Sequence, residues 1–116
     1  VKLRLQGNSI RLRLNRKEVA EFVQAGRLQD VVSFGAGMTL TYGMELSKDT
    51  VTAHALFDGS AIRITVPLAD AQDWARSDRV AMSGQDRQLS ILIEKDFQCM
   101  HAPDPDAYPN PDAAHH

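Results

Sequence analysis

One cysteine in 116 residues excludes an intramolecular disulfide, and a small secreted scaffold would carry several. Cys99 therefore points to a reducing, cytoplasmic setting. Long apolar runs are also missing: nothing approaches the length that spans a bilayer, and the opening Val1-Lys2-Leu3-Arg4-Leu5 alternates from its first residue, unlike a signal peptide. No membrane role is expected. A phosphate-cradling glycine loop, a nucleophile elbow and a dinucleotide fingerprint are all absent. With a net charge of -2 and a pI near 6.1, the chain has no overall attraction for nucleic acid or anionic lipid.

Proline is scarce until the end, where four of the five fall after Gln98. Residues 98–116 hold too few apolar side chains to offset their ordering entropy and are expected to form an extended or disordered tail. Tyr108-Pro109 is the one place where an aromatic could anchor that tail, and His115-His116 read as a purification-tag remnant. Residues 1–97 are left as one globular domain, long enough to bury a core without staples.

Inside that domain the pattern is alternation. Leu3 and Leu5 alternate with Lys2 and Arg4, and Ile10, Leu12 and Leu14 alternate with Arg11 and Arg13. Gly7-Asn8 fits a two-residue hairpin turn, which sets Leu5 opposite Ile10, Arg4 opposite Arg11 and Lys2 opposite Arg13. The leucines share one face and the four cations the other. Asn15 and Glu18 have capping-box spacing, Val19, Phe22 and Val23 make one apolar stripe, and Gly26 is a helix stop. Two further strands follow, from Leu28 to Phe34 and from Met38 to Leu46, around Gly35-Ala36-Gly37.

The second half repeats this plan. An offset of 52 matches Gly7 to Gly59, Ile10 to Ile62, Arg11 to Arg63, Phe22 to Trp74 and Arg27 to Arg79, and an offset of 51 then matches Leu40 to Ile91 and Tyr42 to Ile93. Strands are expected over Val51 to Phe57, Ile62 to Val66, Val80 to Ser83 and Leu89 to Phe97, with a helix starting at Pro67. The expected fold is α+β and mainly antiparallel: two pseudo-symmetric ββαββ halves, 1–47 and 50–97, forming a small barrel or sandwich with two short helices. Parallel packing is disfavoured because the hairpin turns are too short for crossovers.

Chemistry is sparse. Arg4, Arg11 and Arg13, joined across the pseudo-twofold by Arg63, are the candidate anion-binding residues, since guanidinium forks match phosphate oxygens. A solvated sheet face guarded by cations is the plainer alternative. Glu94, Lys95 and Asp96 either solvate the end of the last strand or pair with that hairpin, or else Glu94 and Asp96, with Glu45, serve as acids of a small phosphate hydrolase. Cys99, His101, Asp104 and Asp106 lack structural-zinc spacing, so no metal and no cofactor is expected, and Cys99 has no identifiable base. His54 reads as a structural histidine, and Phe22 and Trp74 as core.

The segments Lys2-Leu3-Arg4-Leu5-Gln6-Gly7-Asn8-Ser9-Ile10-Arg11-Leu12-Arg13-Leu14, Ile93-Glu94-Lys95-Asp96-Phe97-Gln98-Cys99 and Tyr108-Pro109-Asn110-Pro111 resemble a small bacterial family known only as a domain of unknown function. The layout, with Ile62-Arg63-Ile64-Thr65-Val66-Pro67 leading into a helix, is also similar to that of AbrB-like swapped-hairpin regulators. That second resemblance implies two units closed into one barrel and, in those proteins, DNA binding. A non-enzymatic binding or interaction module is the leading expectation, its partner another protein or a second copy. An anion or nucleic-acid binder is the alternative, with a phosphate-containing ligand.

Overall fold

Each half lays down two hairpins separated by a helix, and the hairpins then pair with those of the other half. In chain order the elements are β1 (Lys2–Gln6), β2 (Ser9–Leu14), α1 (Arg16–Ala25), β3 (Arg27–Gly35), β4 (Met38–Ser47), β5 (His54–Phe57), β6 (Ala61–Pro67), α2 (Leu68–Arg76), β7 (Ala81–Asp86) and β8 (Leu89–Lys95). The structure, a computed structural model, describes residues 1–97 and Tyr108. The first sheet has the order β1-β2-β8-β7 and the second β3-β4-β6-β5. Exchanging the elements of one half for those of the other converts either order into the other.

Local sequence explains the elements. Gly7 takes φ +54° in the β1–β2 turn, and the expected hairpin register forms throughout, from Lys2 opposite Arg13 to Gln6 opposite Ser9. Asn15 caps α1 as expected: the Glu18 amide donates to Asn15 Oδ1 at 2.9 Å and the Asn15 amide to Glu18 Oε1 at 3.0 Å. Gly26 ends that helix in the left-handed region, its N–H donated to the Phe22 carbonyl at 2.9 Å. Helix α2 begins one residue after Pro67, which itself closes β6 and acts as N-cap without a side-chain cap.

Two expectations are corrected. Parallel pairing does occur, β2 with β8 and β4 with β6, at the centre of each sheet. The short-turn argument fails because these partners come from different halves, so a helix and further strands supply the connection that a parallel pair needs. The barrel is not closed either. At one seam between the sheets, β5 and β7 are joined by the Ala55 amide donating to Asp86 Oδ2 at 2.9 Å. At the other, the Val1 amino group reaches Asp30 Oδ2 at 3.0 Å and Tyr42 Oη donates to the Val1 carbonyl at 3.5 Å. Isolated side-chain and terminal bonds replace a backbone ladder, and four edge strands remain.

The ladders also re-index the repeat. Ile10 pairs with Ile91 while Ile62 pairs with Tyr42, so Tyr42 corresponds to Ile91, an offset of 49. Met44 then corresponds to Ile93, and Leu28, opposite Met44, to Met82, opposite Ile93. The expected match of Arg27 to Arg79 moves two residues on, to Ala81, because the link from α2 to β7 is longer than that from α1 to β3, and that of Tyr42 to Ile93 moves two residues back, to Ile91, because the β7–β8 hairpin is shorter than β3–β4. A displacement of two preserves strand alternation, which is why it does not disturb the apolar pattern.

The core lies between the inner sheet faces at the helical end. Leu12, Leu14 and Ile93 come from one sheet, Ile64 and Val66 from the other, and Phe22 and Trp74 from the helices, all at most 1% exposed. Each such side chain contributes roughly 2–3 kcal/mol relative to exposure. Strand β5 is shorter than expected: it starts at His54, and Val51 is 92% exposed outside it.

Candidate functional site: an open groove between the sheets

The apolar face that builds the core continues past it. Along β1 and β2, Leu14 and Leu12 are buried at the helical end, whereas Leu5 at the turn end is exposed. The same holds in the other sheet, where Val66 and Ile64 are buried and Phe57 is exposed. Both helices lie at one end, so at the other the inner faces stay uncovered. They enclose an open groove of about 670 Å³ lined by Leu5, Ile10, Leu40, Phe57, Ile62 and Leu89, with Phe34, Met38 and Leu56 at its edge.

The lining draws on matching positions of the two similar halves. Leu5 corresponds to Phe57, Ile10 to Ile62, and Leu40 to Leu89 by the ladder equivalences. The edge is asymmetric. Where the longer β3–β4 hairpin carries Phe34 and Met38, the β7–β8 hairpin has Gln88 and Arg87, the latter at φ +57° in a two-residue turn. Leu5, Phe34, Met38, Leu56 and Phe57 are 58–69% exposed, together on the order of 500 Å² of apolar surface. A patch of that size marks a contact surface more often than bare solvent exposure.

Charge is confined to the rim. Asp58 Oδ1 accepts from the Ser60 and Ala61 amides at 2.9 and 2.8 Å, which holds its carboxyl below the usual range and fixes the β5–β6 turn. His54, exposed, has Nδ1 3.9 Å from Asp86 Oδ2. Asn8 Nδ2 donates to the Gln88 carbonyl and ties the two turns of the first sheet together.

The structure places Arg4, Arg11 and Arg13 on one outer sheet face, in the expected register. Arg63 lies on β6, in the other sheet, opposite Leu56 and Gly43, so it does not join them in a ladder. Glu94 sits within the strip: Arg13 Nε donates to its Oε1 at 2.7 Å, and Arg11 Nε lies 3.5 Å from the same oxygen. Lys2 Nζ pairs with Asp96 at 2.7 Å. Glu94 and Asp96 thus pair with the cationic hairpin as one expectation held. Glu45 is on the second sheet near Arg27, so the three acids proposed for a hydrolase do not converge. Among the described residues no cluster of three or more His, Cys, Asp or Glu could hold a metal. Cys99, His101, Asp104 and Asp106 lie outside the described residues.

Lys95 departs from the expected solvated strand end. It is buried, donates from Nζ to the Ser77 carbonyl at 2.8 Å, and lies 5.3 Å from the centre of the Tyr108 ring. Burial pushes its amine below the ordinary range, against the opposing field of Asp78. Tyr108 does anchor to the domain: its amide donates to the Asp96 carbonyl at 3.0 Å, and its ring meets Phe97 edge-on at 6.0 Å. The rest of the expected tail lies outside the described residues.

Sequence reading passed over Phe34, Met38, Leu56 and Phe57. Two signals mark them: Leu56-Phe57 breaks the alternation of β5, and no charge occurs from Val31 to Met44.

These features define an α+β domain of two mixed four-stranded sheets, built from two similar ββαββ halves whose hairpins interleave. The chain belongs to a family of unknown function, DUF7009, whose pattern matches residues 1–112. No curated protein and no solved structure matches it. Among the described residues no helix is long and apolar enough to cross a membrane.

Proposed function

We propose that this protein is a non-enzymatic interaction module of the reducing cytoplasm, arisen by internal duplication, and that the groove between the sheets is its binding seat. One observation carries this: five large apolar side chains surround a continuation of the core that no part of the described chain covers. The lining offers few hydrogen-bonding groups, so an occupant must satisfy its own backbone. An amphipathic helix of a partner protein meets that condition, its apolar face set into the groove at i, i+3 and i+4 spacing.

The test uses anilinonaphthalene sulfonate as an apolar probe. Its fluorescence should rise strongly with the wild type and fall to background with Leu56→Asp/Phe57→Asp, both folding normally because these positions are exposed. A wild type that leaves the dye dark would sink the proposal.

We hold anion binding by Arg4, Arg11 and Arg13 as a second proposal, with Arg63 acting separately on its own sheet. It is favoured by the like-charged cross-strand pair Arg4–Arg11, a placement that an anion would relieve. Phosphate should then raise the melting temperature of the wild type but not of Arg11→Ser/Arg13→Ser. Equal stabilisation of both discards it.

A further inference from the structure

The two sheets have four edges, and three are guarded. Strand β1 carries Lys2 and Arg4, which discourage pairing with another chain. Strands β5 and β7 are short and lie beside each other, joined through Asp86. Strand β3 differs. It runs nine residues, and its last five, Val31 to Gly35, are exposed and uncharged, with no proline.

The β3–β4 hairpin also projects. Strand β6 pairs with β4 only as far as Thr41 opposite Ala61, so Met38 to Leu40 and their β3 partners extend beyond the four-stranded sheet. Its pseudo-symmetric counterpart, β7–β8, provides an internal comparison: it is shorter and ends in Asp86-Arg87-Gln88. In the projecting arm, Val31 is 58% and Phe34 69% exposed. Nothing within the described chain accounts for apolar side chains there.

Backbone direction identifies the free groups. The Thr41 amide donates to the Ser60 carbonyl, on the β6 side, at 2.9 Å, whereas the Leu46 amide donates the other way, to Gly26, at 2.9 Å. Polar groups alternate along a strand, so odd-numbered β4 residues face β6 and even-numbered ones face β3. Val31 and Ser33, opposite Thr41 and Thr39, therefore turn their N–H and C=O groups outward, away from β4.

We propose that β3 pairs with β3 of a second copy, antiparallel about a twofold axis at Val32, giving one continuous eight-stranded sheet. In that register Val31 of each copy exchanges two hydrogen bonds with Ser33 of the other, which satisfies the outward groups of these two residues reciprocally. Val32 faces its own counterpart as a close, non-hydrogen-bonded pair, with Cα atoms about 4.5 Å apart. The second copy is favoured over an unrelated chain by charge. Pairing identical surfaces normally sets like charges together, but Val31 to Met44 carries none.

This goes beyond the groove proposal and is separable from it, since neither Val31 nor Val32 lines the groove. Sedimentation at micromolar concentrations should show a dimer for the wild type and a monomer for Val31→Lys, with unchanged circular dichroism and unchanged dye binding. Val32→Cys in a Cys99→Ser background should oxidise to a covalent dimer, while Leu5→Cys in the same background should not. A monomeric wild type overturns the proposal, as does a Val31→Lys protein that dimerises like the wild type or a Val32→Cys protein that stays uncrosslinked.

Discussion

Phe22 and Trp74 occupy equivalent positions on the two helices and are both fully buried, yet only the Trp74 side chain is tied to the chain that follows, its Nε1–H donated to the Val80 carbonyl at 2.9 Å. The extra length between α2 and β7 makes that bond available. Arg79 in the same link donates to Asp70 at 2.6 Å and Asp73 at 3.2 Å, and so folds the longer connection back onto its helix.

The two aromatics should therefore respond differently to substitution. Phe22→Ala should cost about 3–5 kcal/mol in urea unfolding, as lost burial and a cavity combine. Trp74→Phe keeps most of the apolar surface but loses the indole donor, for about 1 kcal/mol plus a smaller cavity term. If Trp74→Phe were as damaging as Phe22→Ala, the indole hydrogen bond would hold far more than one loop.

Gly43 should tolerate no side chain. A Cβ there would stand 2.1 Å from the Leu28 carbonyl oxygen and 2.7 Å from Gln29 Cα, both backbone atoms of β3. Gly43→Ala is expected to lose about 3 kcal/mol or more, since relief requires β3 to move off β4. Gly84→Ala is crowded by the Ala53 Cβ at 3.0 Å, with the Ala53 backbone N no closer than 3.5 Å, and should cost less, about 1 kcal/mol. Denaturant midpoints of the two variants give the comparison, and equal midpoints would contradict the close β3–β4 approach.

Lys95 should leave a signature in alkaline solution. Its folded-state pKa is depressed by burial, so below the ordinary value of 10.5 there is an interval in which the unfolded chain binds the proton and the folded chain does not. Stability gains with rising pH across that interval. Wild type should therefore gain on Lys95→Met as the pH climbs towards 10.5, a difference in which the other titrating groups cancel. Melting curves that stay parallel over that range would show the amine to be as well solvated folded as unfolded.

Local features were legible in sequence because local chemistry decides them. The β1–β2 register follows from Gly7-Asn8 and alternating leucines, the start of α1 from Asn15 and Glu18, and the burial of Phe22 and Trp74 from helical spacing. The pairing of β2 with β8 was not legible, because alternation shows which face of a strand is apolar and not which distant strand lies beside it. The groove escaped for a related reason. Leu5 and Leu12 belong to one alternating face, and only the position of the helices decides that Leu12 is covered and Leu5 open. Lys95 was misread because a charged residue at a strand end is ordinarily wet, whereas here the Ser77 carbonyl and Tyr108 close over it.

The parallel centre of the first sheet joins Ser9 to Ser90 and Leu14 to Lys95. A ribosome releases β2 long before β8 exists, so during synthesis the central strand of that sheet waits with one side unpaired while nearly all the remaining domain is made. Neither half completes a sheet of its own. The nascent chain thus carries an apolar, pairing-competent strand until β8 has emerged, and only then can the slow long-range closure that competes with aggregation begin.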